Sequence, residues 1–122
     1  MTLPKTPDQI LLLHNPRCSK SRATKALLEE RGVSFEERLY LDDPLSRSEL
    51  EDLSGRLSRP VTEWTRKKEA AFAEAGLSAE SGVEQVYEAM VSHPGLMERP
   101  IVIRGQRAAI GRPPEDVLAL LD

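Results

Sequence analysis

Apolar residues gather into runs of different period along this chain. The first, Ile10-Leu11-Leu12-Leu13, is short and continuous and stops at Asn15-Pro16. It predicts a buried strand over Leu11–Leu13 followed by a turn, with residues 1–8 as a loose lead-in. From Ser19 to Arg31 the composition becomes helical, with Ala23, Ala26 and Leu27 on one side, charges elsewhere, and Gly32 placed to stop it. Val33 to Leu41 then carries β-type residues and reads as a second strand. Strand, helix, strand is a βαβ unit, which implies parallel neighbours and a right-handed crossover.

The period changes after Asp42-Asp43-Pro44. Ser46-Arg47-Ser48-Glu49 is a capping box opening a helix with Leu50, Leu53 and Leu57 on one face. Arg59-Pro60 interrupts it, and Val61 to Ala75 is helical again in two pieces, ending near Gly76. Ser81-Gly82-Val83-Glu84 predicts a second capping box and an amphipathic helix whose apolar face is Val83, Val86, Tyr87, Met90 and Val91, closed by His93-Pro94-Gly95. Residues 42–98 therefore read as an all-helical insertion. Ile101–Ile103, a Gly105-Gln106 turn and Arg107–Ile110 form a hairpin. Pro114, Glu115 and Asp116 suit the first turn of a last helix packed through Val117, Leu118, Leu120 and Leu121. The order β-α-β, helical block, β-β-α is that of an α/β, thioredoxin-like fold with an insertion between its halves.

At 122 residues the chain, 1–122, reads as a single domain. No stretch is apolar for long enough to span a bilayer, so no membrane association is expected. The net charge of −3 argues against a general nucleic-acid binder. A single cysteine excludes an internal disulfide and points to a reducing, cytoplasmic location. With one cysteine and two histidines there is no metal-ligand cluster, so no metal and no bound cofactor are expected.

That cysteine changes the picture most. Cys18 falls where the first strand turns into the first helix, a place where unpaired N–H groups and the positive end of the helix dipole favour thiolate. From Gln9 to Leu28 there is no Asp or Glu, while Arg17, Lys20, Arg22 and Lys25 are all cationic. Burying a sulfur among Pro, Arg, Ser and Lys would strand polar groups, so a reactive thiol is favoured over an inert one.

The chain also carries His14-Asn15-Pro16-x-Cys18 with Ser21-Arg22, Leu39-Tyr40-Leu41, Arg66-Lys67, His93-Pro94, Glu98-Arg99-Pro100-Ile101-Val102 and Gly111-Arg112-Pro113, in that order. In these it resembles the glutaredoxin-coupled arsenate reductases, and within them the small bacterial reductase-like branch. The resemblance runs from about Leu11 to Leu121. It implies that Cys18 is the nucleophile attacking arsenate and that Arg66, Arg99 and Arg112 converge on the oxyanion. It further implies that His14 and Ser21 hold or tune the thiolate and that Pro100 follows a cis peptide bond. Glutathione as co-substrate and glutaredoxin as partner would supply the electrons. Arg17 and Arg22 enter as supporting charges. Arginine suits such a site, because its charge never titrates and its donors form a rigid fork that matches tetrahedral oxyanions.

Other readings of the same residues stay open at this stage. A monothiol disulfide reductase also needs one low-pKa cysteine. A regulatory binding module like the Spx-type proteins shares the architecture, but those resemble a Cys-x-x-Cys switch, and here the second position is Ser21. A phosphatase-like Cys-x5-Arg cradle is not formed, since the nearby Arg22 has the wrong spacing.

Overall fold

The computed structural model describes residues 2–121. Its backbone contacts divide them into two compact units, one made of the chain up to Asp43 together with everything from Arg99 on, the other of Pro44–Glu98. No helix in it is long and apolar enough to cross a membrane.

The first unit is built on a four-stranded mixed sheet in the order β2-β1-β3-β4. Strand β1 (Ile10–His14) lies inside it, parallel to β2 (Glu36–Leu39) and antiparallel to β3 (Ile101–Arg104), which in turn pairs with β4 (Arg107–Ile110). All five residues of β1 are buried, the apolar run Ile10–Leu13 as an interior strand requires and His14 at its end with them. On one face Ile10, Leu12 and Val102 pack with Leu28, Val117 and Leu120, and Val33, Phe35, Ala109 and Leu121 close the edge of that core. Gly105, at φ +55, takes the first position of the hairpin turn, where its Cβ-less carbon sits against the Pro7 backbone. This is the thioredoxin-like α/β fold that the order of elements predicts.

Several details differ from the sequence expectation. The lead-in is irregular but anchored, with Leu3 buried and Lys5 N–H donating to Gln9 Oε1 at 3.0 Å; Met1 lies outside the described residues. Strand β2 is shorter than Val33–Leu41. Its first partnered residue is Glu36, opposite Leu11, and the Leu39 carbonyl turns back to accept the N–H groups of Asp42 and Asp43. The closing helix, Pro114–Leu120, is wound as a 3₁₀ helix and buries only Val117 and Leu120. The βαβ helix α1 (Ser19–Glu30) ends as expected at Gly32, which has φ +67. Its buried face, however, is Ser21, Thr24 and Leu28, while Ala23 and Ala26 are exposed.

The second unit carries α2 (Arg47–Leu57), α3 (Ala70–Glu74) and α4 (Val83–Ser92). The predicted capping box at Ser46 and Glu49 is present, and Leu50, Leu53 and Leu57 are buried. Val61–Trp64 is a short 3₁₀ turn that buries Trp64, whose indole N–H donates to Ser54 Oγ at 3.0 Å. The block is not all helical, because Thr65 and Met97 form an isolated antiparallel bridge between extended residues. The second box is only half formed, one residue later than predicted. Gly82 is the N-cap, its N–H donates to Gln85 Oε1, and Ser81 Oγ instead accepts the N–H of Ser78. The buried face is accordingly Val86, Tyr87, Ala89 and Met90, leaving Val83 and Val91 exposed.

Candidate active site

The turn after β1 is closed by Asn15. Its side-chain oxygen accepts the Arg17 N–H at 3.0 Å, its carbonyl accepts the Cys18 N–H at 3.0 Å, and its own N–H donates to Ser21 Oγ at 3.0 Å. An Asn before a proline readily folds back on its own backbone in this way. Sequence reasoning gave Asn15 no role; the Asn-Pro pair was its only signal. Arg22, in the first turn of α1, donates to the Pro16 carbonyl at 2.8 Å and steadies the same loop.

Cys18 is the N-cap of α1, with extended backbone, and its carbonyl accepts the Arg22 N–H. It is half-buried. The sulfur closes no full-length capping hydrogen bond, so the first turn acts on it through dipoles rather than as a sealed cap. Burial pushes the thiol up, but this is outweighed by the Ser21 N–H, the Arg99 guanidinium and the Lys20 N–H. The net effect lowers its pKa below the ordinary thiol value. A half-exposed sulfur with that bias has the surroundings in which reactive thiols are found.

Behind it lies a buried polar pair. His14 ends β1, and its Nδ1 is 2.7 Å from Ser21 Oγ. Burial is the largest influence on His14 and lowers its pKa; Glu37 pulls the other way, and Lys25 and Arg22 add to the lowering. With the imidazole neutral, the arrangement that satisfies both groups has Ser21 O–H donating to bare Nδ1 while its oxygen accepts the Asn15 N–H. This is why α1 turns a serine inward.

The hairpin brings the arginines. The Arg99–Pro100 peptide is cis, as is Arg112–Pro113. Pro100 and Gly111 extend the β3–β4 ladder by one step, with the Gly111 N–H donating to the Pro100 carbonyl at 2.9 Å. Beyond it, Arg112 Nε–H donates to the Arg99 carbonyl at 2.8 Å. A Cβ on Gly111 would meet Thr24 Oγ1 at 2.7 Å and the Pro100 ring at 2.8 Å, so only glycine lets this corner close on α1. Thr24 is itself buried, its hydroxyl donating to the Lys20 carbonyl at 2.9 Å.

Cys18, Ser21, His14 and Arg99 are thus gathered at one end of the sheet, with Arg112 tied to Arg99 and with Arg17 and Arg22 on the same loop and first turn. Arg66 belongs to the helical unit. There its N–H donates to the Leu96 carbonyl at 2.7 Å and its guanidinium pairs with Glu69 at 2.8 Å.

Known proteins share this chain over nearly its whole length. The profile of the ArsC family matches residues 13–120. The uncharacterized protein YfgD of Escherichia coli K12 is 46% identical over 115 residues, covering 93% of this chain and 97% of that protein. An arsenate reductase of Neisseria meningitidis serogroup B is 43% identical over 115 residues, covering 93% of this chain and 98% of that protein. Among solved structures, the arsenate reductase from Vibrio cholerae matches with a TM-score of 0.88 at 38% identity, over 94% of this chain and 99% of that one. With its thiol-bearing turn and these likenesses together, the chain belongs to the ArsC family.

Proposed function

We propose that the protein reduces arsenate to arsenite through Cys18, with glutathione and then glutaredoxin as electron donors in a reducing, cytoplasmic setting. The observation that carries the reading is the half-buried Cys18 at the α1 N-terminus, biased toward thiolate by two backbone N–H groups and Arg99. Support for the substrate comes from the arsenate reductases named above.

A thiolate and a tetrahedral oxyanion repel each other, so attack needs cations around both. Arg99 stands at the sulfur, and Arg112 is held to its carbonyl. Cys18 sulfur forms a bond to arsenic as one arsenate oxygen leaves as water, after taking up protons. The thiol of glutathione then attacks the Cys18 sulfur. A Cys18–glutathione disulfide forms, the sulfur–arsenic bond breaks, and its electron pair stays on arsenic, which leaves as arsenite. A glutaredoxin thiolate takes the glutathione from Cys18 and frees it again. One cysteine suffices for this cycle because each second thiol arrives from outside.

Arsenite release with glutathione and glutaredoxin, compared between the wild type and Cys18→Ser, tests the proposal. Release by the wild type alone is expected. Equal rates, or no release by either, would overturn it.

A further inference from the structure

Strand β2 breaks the usual alternation of an edge strand. Arg38, charged, turns inward and is 3% exposed, while its apolar neighbour Leu39 turns outward at 39% and Leu41 beyond it is 43% exposed. The inward arginine is accounted for. Its Nε–H donates to the Asp43 carbonyl at 2.9 Å and lies 3.3 Å from the Asp43 carboxylate, which holds the 39–43 turn in place. The two outward leucines are not accounted for by any core, although exposing them costs apolar surface. Both line one groove of about 390 Å³, closed on the other side by His14, Asn15, Pro16 and Arg17, and Asp42 completes the rim. Arg17 is the residue just before Cys18. The groove therefore has apolar walls, a cation and a carboxylate, and lies beside the turn that presents the sulfur.

We infer that this groove seats glutathione, a small peptide thiol whose own carboxylates and ammonium complement Arg17 and Asp42 while its backbone lies on Leu39, Leu41 and Pro16. The inference rests on the thiol-dependent reading above and adds where the thiol binds. Its volume is that of a small-molecule cleft rather than of a protein-sized footprint. A second cavity of similar size at the far end of the hairpin offers less. There Arg104 and Arg107 already donate to the Leu120 carbonyl, and Arg104 also pairs with Asp8.

The test uses the full chain without arsenate. Cys18 thiolate attacks oxidised glutathione, a Cys18–glutathione disulfide forms, the disulfide of the reagent breaks, and glutathione thiolate departs with the electron pair. Second-order rates of this reaction, followed by intact mass, are compared with those for uncharged hydroxyethyl disulfide. In Leu41→Ser and in Asp42→Lys, each at an exposed position, the ratio of the two rates is expected to fall about fivefold, as loss of a small apolar or ionic contact would give. An unchanged ratio in both variants would overturn the assignment. So would a loss seen only when a glutaredoxin disulfide is the reagent, which would give the groove to a protein. Failure to produce arsenite leaves this result standing, and a flat ratio leaves the arsenate reading intact.

Discussion

The carbonyl of Arg99 accepts the Nε–H of Arg112 at 2.8 Å, so the two arginines that bracket the β3–β4 hairpin are joined to each other at the mouth of the site. This bond turns two separate stretches of sequence into one cationic corner. Arginine suits such a corner, because its charge never titrates and its donors lie in a rigid fork that matches a tetrahedral oxyanion.

Arg112→Ala is expected to lower arsenite release by about tenfold or more, the scale of losing a charge-assisted contact in the transition state. Lys25→Ala, which removes only an exposed pair with Glu37 at 2.7 Å, should leave the rate within about twofold. Steady-state kinetics of both variants at matched glutathione and glutaredoxin check this. Equal losses would remove Arg112 from the site.

Gly111 is the point where the arginine-bearing corner meets α1. Gly111→Ala places a methyl against Thr24 Oγ1 and the Pro100 ring, and is expected to destabilise the fold by about 1–3 kcal/mol, the usual cost of overpacking. Urea denaturation measures it. Gly95→Ala serves as the control, since a Cβ there meets nothing within 4 Å.

The buried serine makes a different prediction. Ser21→Ala strips a partner from both the Asn15 N–H and His14 Nδ1, each buried, and should cost about 1–3 kcal/mol in the same assay. Because the Ser21 backbone N–H remains, Cys18 should stay more acidic than in a variant lacking Arg99.

His14 adds a pH dependence. Burial lowers its native pKa below the ordinary 6.5 of the unfolded chain. Between those two values the unfolded state binds more protons, so stability rises with pH through the window and falls as pH drops below 6.5. Above it the pH dependence from His14 vanishes. Urea midpoints of the wild type should decline on acidification through this window more steeply than those of His14→Gln.

Much of the fold is legible in the sequence, for definite reasons. Ile10–Leu13 is apolar at every position because β1 has a neighbour on each side, and Asn15-Pro16 and Gly32 mark the ends of the turn and the helix. Cys18, Arg99 and Arg112 stand next to breaks in the pattern, and breaks are where side chains are delivered to a site. The misreadings share one physical cause. Hydrophobicity cannot see a residue that is buried by its hydrogen bonds, so the pattern points to Ala23, Ala26 and Leu27 as one side of α1, whereas the helix buries Ser21, Thr24 and Leu28. The same blindness hides Arg38, which is held inward by Asp43 and reverses the alternation of β2. The spacing of Ser81 and Glu84 predicts a capping box at Ser81, but Ser81 Oγ accepts the Ser78 N–H and the helix starts after Gly82.

The account stands on Cys18 being ionised by its surroundings, and thiolate absorbance followed against pH in the wild type and in Arg99→Ala measures this directly. The wild type should titrate below an ordinary, unperturbed thiol, and Arg99→Ala should titrate higher than the wild type. A wild-type inflection at or above that of an ordinary thiol, or one that Arg99→Ala leaves unmoved, would contradict it.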